Sequence, residues 1–357
     1  MIAFGVVAVG CGAPEPEAST PSPVCAAGQI DGDLNVFSWP DYLPTEVLDG
    51  FRRRFGVEVS MATYDTDEVL LGQLQVRADN YDVAFPSDYM VDILIEDGFL
   101  LEIDKDALTN LGNLDPSFLD PPFDPEGSHS IPYQWGTVGL GINRNVVGSE
   151  VVASWGIVFD PDQASQWAGR ISLLDDARQS LGAALKYLGY SANSRSEEEV
   201  AQAGALLRLA AENLAPLEDA DYAQQLVDGE ADVAQGRSNA FFDAFNSSNA
   251  GNDFAYIVPV EGTIAWVENM VVPVTSESPC TAHTFIDYLM EPANAAAGTN
   301  FTKFATANLA ASRLIDPAIL ANPAIYPPEA AMAGLEFLAN TGEFEIRYIE
   351  EYSRGRG

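Results

Sequence analysis

Residues 130–143 read SIPYQWGTVGLGIN. Ile131, Tyr133, Trp135, Val138 and Ile142 favour extended backbone, and glycines at alternating places rule out a stable helix. A run of this length with so little side chain on one face suits a long strand that crosses from one half of a molecule to the other.

On both sides of that run, short β-rich stretches alternate with helical ones, the pattern of a parallel α/β sheet. Upstream, Leu34–Phe37 reads as a strand and Pro44–Phe55 as a helix, with Val47, Leu48, Phe51 and Phe55 on one face. Val57–Met61 is a second strand, Asp67–Val76 a second helix and Tyr81–Phe85 a third strand. Downstream, Arg170–Leu174, Ala231–Gln235, Phe254–Val258, Ile264–Val267 and Met270–Val274 read as strands. Helices are expected over 178–188, 197–213, 281–290 and 329–352. At 357 residues the chain has room for two α/β lobes. Crossings are expected near 137–143, 263–268 and 310. They divide the chain into a first lobe of 33–139 plus 267–313 and a second of 140–266 plus 314–357.

The residues with chemistry to offer follow the carboxyl ends of these strands: Trp39, Asp41, Tyr42, Ser87, Tyr89, Asp176 and Arg237. In open α/β sheets that edge is where ligands bind. Aromatic faces attract an organic ammonium and cover its methylenes, and carboxylates fix its nitrogens with charge-assisted hydrogen bonds. Asp41, Asp176 and Glu268 are candidate acids, with Trp39, Tyr42, Tyr89 and Trp266 as walls. Trp135, Trp155 and Trp167 are assigned to packing.

Charge and termini point the same way. With 53 Asp plus Glu against 17 Lys plus Arg, the formal net charge is −36. Such a surface disfavours nucleic acid and anionic lipid and favours cations, although solubility or adaptation to salty surroundings accounts for the overall charge better. Met1–Gly10 is almost wholly apolar and precedes Cys11, as in a bacterial lipoprotein signal whose cysteine is lipidated. The Pro- and Ala-rich residues 12–32 then form a tether, so 1–32 is read as signal, anchor and tether of an exported protein. Outside the cytoplasm, the two remaining cysteines, Cys25 and Cys280, are expected to pair.

Five motifs resemble the periplasmic spermidine/putrescine-binding proteins of ABC importers, which have a two-lobed type II periplasmic-binding-protein fold. They are NVFSWPDYLP at 35–44, YDVAFPSDYMVD at 81–92, SIPYQWGTVGLGIN at 130–143, LLDDAR at 173–178 and IAWVENMVVP at 264–273. The resemblance implies a polyamine or related organic cation as ligand, a membrane permease as partner, no cofactor, no nucleic acid and a monomeric protein at the cell surface or in the periplasm. It carries a ligand-binding role to Trp39, Asp41, Tyr42, Ser87, Tyr89, Asp176, Trp266 and Glu268. Four positions depart from its pattern. Pro40 replaces a hydroxyl residue, Gln179 stands where a second acid is usual, Glu268 stands where an aspartate is more usual, and Arg237 stands where a tryptophan is usual. A fixed positive charge at Arg237 opposes a polycation unless it pairs with an acid, or turns outward and leaves Ser238 facing the cleft.

Other readings remain open. A binder of an amino-acid derivative or thiamine-like cation would use the same fold and residues. A serine hydrolase would need Ser238, in Gly236-Arg237-Ser238-Asn239-Ala240, with Asp243 or Asp253 and His283, but the last glycine of G-x-S-x-G is absent. Two histidines and no H-E-x-x-H leave a zinc site without support. Asp120, Asp124 and Glu126 fit a surface turn better than a calcium loop.

Overall fold

The computed structural model describes residues 23–76, 81–148, 151–215, 221–248, 253–327 and 329–356; Cys11 and its apolar leader lie outside the described residues. Parallel strands β1 (Leu34–Ser38), β2 (Val59–Thr63) and β3 (Val83–Ala84) begin the first sheet, in order β2-β1-β3. The helix between β1 and β2, Thr45–Phe55, buries Val47, Leu48 and Phe51 and ends at Gly56, whose φ of 71° is the left-handed C-cap conformation.

The run at 130–143 is one strand, β4 (Ser130–Asn143), buried along all but its last residue. It pairs antiparallel with β8 (Thr263–Val271) from Ser130 to Thr137. From Val138 to Ile142 it pairs instead with β6 (Val233–Arg237), which is parallel to β5 (Ile171–Ser172); β7 (Phe254–Ile257) takes the other edge. A single strand therefore belongs to two sheets and changes partner between Thr137 and Val138. At Gly136 an added Cβ would stand 2.3 Å from the Trp266 ring, so glycine is what lets that indole lie against the strand. The short β9 (Ala305–Thr306) also pairs with β4.

Two regions differ from the sequence reading. The strands expected at 264–267 and 270–274 are one, β8, buried throughout. The helix expected over 329–352 is broken into Glu329–Met332, strand β10 (Leu335–Phe337) and Glu345–Arg356. Pairing of Leu335 with Thr263 overrides the local helical pattern. Ile315, Ile319 and Ile325 belong to the core cluster that also holds Leu34 and Phe51.

Among the described residues one large core cluster runs from under the first sheet to Phe241, Phe254 and Tyr256 beside β6 and β7, and a second gathers around Trp155, Phe159, Leu181 and Tyr348. A small cluster of Val138, Leu174, Ala192, Ile264 and Trp266 sits at the seam. Trp135, Trp155 and Trp167 are buried, as expected. Cys25 and Cys280 form a disulfide with Cα atoms 5.3 Å apart. Asp31 reinforces that corner by accepting from the Cys280 and Thr281 amides at 3.0 and 2.9 Å. No helix among the described residues is long and apolar enough to cross a membrane.

Candidate functional site

Successive residues of a strand point to opposite faces, so Trp266 and Glu268 of β8 present side chains on the same one. Each meets a loop from a neighbouring strand end. Past β1, the indole N–H of Trp39 is shared between the Phe85 carbonyl and Glu268 Oε2, both at 2.9 Å. Tyr42 is buried between Phe85 and Tyr133, with both ring centroids 5.7 Å away. Asp41 is exposed and held at a left-handed φ of 50°. Past β3 come Ser87, Asp88 and Tyr89. The Ser87 hydroxyl donates to the buried carboxylate of Asp67, and its amide donates to the same group at 3.3 Å. Tyr89 donates its phenol to Glu68 at 3.1 Å.

The second sheet contributes Asp176, Gln179 and Arg237. Asp176 caps the helix Ala177–Tyr187, accepting from the Gln179 amide at 2.9 Å. Arg237 is the last residue of β6, paired across the sheet with Val138, and its amide donates to Tyr222 Oη at 3.1 Å.

These loops enclose a cleft with two chambers. The first, about 580 Å³, is lined by Trp39, Asp41, Tyr42, Asn239, Glu268 and Phe304. The second, about 470 Å³, is lined by Glu68, Asp88, Tyr89, Asp176 and Gln179. Arg237 and Trp266 line both. Arg237 therefore faces the cleft. Ser238 is buried, with its hydroxyl turned toward Gly136, and lines neither chamber. Ser87 also lines neither chamber and stands behind the acids, holding Asp67.

Burial dominates the electrostatics. It pushes the Asp88 carboxyl up to about 7, with the Tyr89 amide and Arg237 pulling the other way. It raises Glu268 well above the usual carboxylate range, helped by the charge of Asp67, and it raises Asp67 too. Burial works against the Arg237 cation, but Glu268, Tyr222, Asp67 and Asp88 more than offset it, so the guanidinium stays charged. Arg178, also in the second chamber, is matched by Glu345 at 2.8 Å. Among the described residues, the indole N–H of Trp266, Oδ1 of Asn239 and Oε1 of Gln179 are buried without hydrogen-bond partners. Such groups are costly unless a ligand completes them.

Sequence reasoning missed Asp67, Glu68, Asp88, Asn239 and Phe304. Asp67 and Glu68 follow the carboxyl end of β2, so the strand-end rule that selected Trp39 selects them too. Phe304, set edge-on to Trp266 at 5.3 Å, carries no local signal. His283 is buried rather than on a surface helix: Nε2 accepts the Asp104 amide at 2.9 Å, and Nδ1 contacts the Pro279 carbonyl at 2.7 Å. Both ring nitrogens are committed, which removes the base that a Ser238 hydrolase would need. Asp124 likewise staples its own turn, accepting the amides of Ser128 and Ser130 at 3.0 and 2.8 Å.

Two α/β sheets joined by shared crossing strands, with a cleft at the strand ends, define a two-lobed binding protein. The chain belongs to the family described as bacterial extracellular solute-binding protein, which matches residues 46–327; this is a solute-binding family, not an enzyme family. It is 30% identical over 331 residues to the spermidine/putrescine-binding periplasmic protein of Salmonella typhimurium, spanning 92% of this chain and 93% of that protein. It is 32% identical over 323 residues to a putrescine/cadaverine-binding protein of Pseudomonas aeruginosa, spanning 89% and 91%. The fold superposes on the crystal structure of a spermidine/putrescine ABC transporter substrate-binding protein from Streptococcus pneumoniae. The TM-score is 0.83 at 26% identity, covering 91% of this chain and 100% of that one.

Proposed function

We propose that this chain captures a polyamine such as putrescine or spermidine between its lobes and delivers it to the permease of an ABC importer. One observation carries the reading: buried Asp88 and Glu268 line one cleft walled by Trp39, Tyr89 and Trp266, with buried Asp67 held behind them by Ser87. An ammonium there gains charge-assisted hydrogen bonds in a place where water is a poor competitor. In this reading Trp39, Asp41, Tyr42, Tyr89, Asp176, Gln179, Trp266 and Glu268 touch the ligand, and Ser87 braces Asp67. The lobes, divided at the changes of partner in β4 and β8, close on the ligand, and the closed form is what the permease reads. The protein acts as a monomer tethered through lipidated Cys11.

A second reading, a zwitterion, is favoured by one pair of groups: Arg237 and the unpartnered indole N–H of Trp266 would suit a carboxylate. Calorimetry on the chain carrying Cys11→Ser separates the two. Putrescine, spermidine and spermine are titrated alongside betaine, thiamine and arginine. Saturation by a polyamine at micromolar levels or tighter supports the first reading. Heat from a zwitterion alone overturns it.

A further inference from the structure

We propose that Arg237 is a resident cation that restricts the ligand to a chain with an ammonium at each end and no charge between them. The inference rests on the polyamine reading and narrows it to terminal diamines.

Arg237 and Trp266 are the residues common to both chambers, so the guanidinium stands at the middle of the slot and not at an end. Its place is fixed by the pairing of β6 with β4 and by the Tyr222 hydroxyl on its amide. Acids act on it from around the cleft, yet none of the ion pairs within 4.0 Å among the described residues includes it. Its charge is therefore felt by whatever lies across the seam.

Each chamber separately has what an ammonium needs. The first has Glu268 and the buried, unpartnered Oδ1 of Asn239; the second has Asp88 and the buried, unpartnered Oε1 of Gln179. One ammonium per chamber supplies the missing donors, and the hydrocarbon between them lies along the Trp266 ring. A triamine would put its internal ammonium against the guanidinium. Like charges about 6 Å apart in a partly buried site cost on the order of a hundredfold in affinity. A zwitterion fares poorly as well, because its carboxylate reaches Arg237 only in the company of Glu268, Asp67 and Asp88.

Octamethylenediamine tests this directly, since it matches spermidine along the backbone with a methylene in place of the internal nitrogen. Dissociation constants for putrescine, octamethylenediamine and spermidine are measured on the full chain, on Arg237→Gln and on Arg237→Lys. The parent is expected to favour octamethylenediamine over spermidine by at least about tenfold. Arg237→Gln is expected to shrink that preference about tenfold, and Arg237→Lys to keep it. Spermidine binding the parent as well as octamethylenediamine does overturns the inference, as does a preference that survives Arg237→Gln unchanged. Binding of none of the three overturns the polyamine reading and this one with it, whereas binding with an unaltered ratio sinks only the role of Arg237. If Arg237→Gln fails to fold, the parent's own preference decides.

Discussion

The two sides of the cleft hold acids in different states. Asp67 and Asp88, which open helices that follow strands of the first sheet, and Glu268, on β8, are buried, and burial drives the carboxyl of each upward. Asp176, on the second, is exposed and spends one oxygen on the cap of its own helix. A dry carboxylate has no water to fall back on, so a ligand ammonium relieves a cost that already exists. A wet one exchanges a water for a ligand at little net gain. On the proposed reading, this difference concentrates charge recognition in the first lobe and leaves the second to orient the ligand and cover it.

Glu268→Gln removes charge from the dry side with little change of shape, and putrescine binding is expected to weaken by about 2–3 kcal/mol by calorimetry. A loss below about 0.5 kcal/mol would place the ligand elsewhere. Asp67→Asn is expected to cost less, about 1–2 kcal/mol, because Asp67 lines neither chamber and acts through Ser87 and the field at Arg237. The double mutant is expected to lose less than the sum, since both acids serve one cluster.

The pH dependence follows from Asp88, raised to about 7 by burial. A cation binds the ionised form, so affinity for putrescine is expected to rise severalfold from about pH 6 to about pH 8 and then level off. Stability of the unliganded fold runs the other way. With the folded value above the unfolded value of about 4, the contribution from Asp88 is fully present below about pH 4 and is lost as pH rises through about 7. Asp88→Asn is expected to flatten both trends; melting curves with and without putrescine over that range give the answer.

On the wet side, Asp176→Asn is expected to weaken putrescine by less than about 1 kcal/mol, because the amide oxygen still caps the helix. A loss matching that of Glu268→Gln would erase the contrast between the lobes. The smallest effect on binding is expected from the paired substitutions Cys25→Ser and Cys280→Ser. Unfolding in denaturant is expected to show a loss of about 2–4 kcal/mol in stability with an unchanged dissociation constant.

Much of this was legible in the sequence, for physical reasons. The glycines and β-formers of 130–143 announce a long crossing strand, and strand-end loops announce Trp39, Tyr89 and Asp176. Leu335–Phe337 was not legible, because its strand exists only through pairing with Thr263–Ala265, far away in the chain. Nor was the direction of Arg237: a shift of one residue at the end of β6 would exchange it with Ser238, and only the register with Val138 decides. Asp67 reads as an ordinary first-turn helix acid until the Ser87 amide and hydroxyl are found upon it.

The central claim is that an organic dication lies in this cleft with its charge met by the buried acids of the first lobe. A crystal structure with putrescine bound tests it most directly. The account predicts one ammonium in each chamber, within about 3 Å of Glu268 on one side and Asp88 or Gln179 on the other, with the methylenes along Trp266. Putrescine held outside these chambers, or by exposed Asp41 and Asp176 with no contact to Glu268 or Asp88, would contradict it.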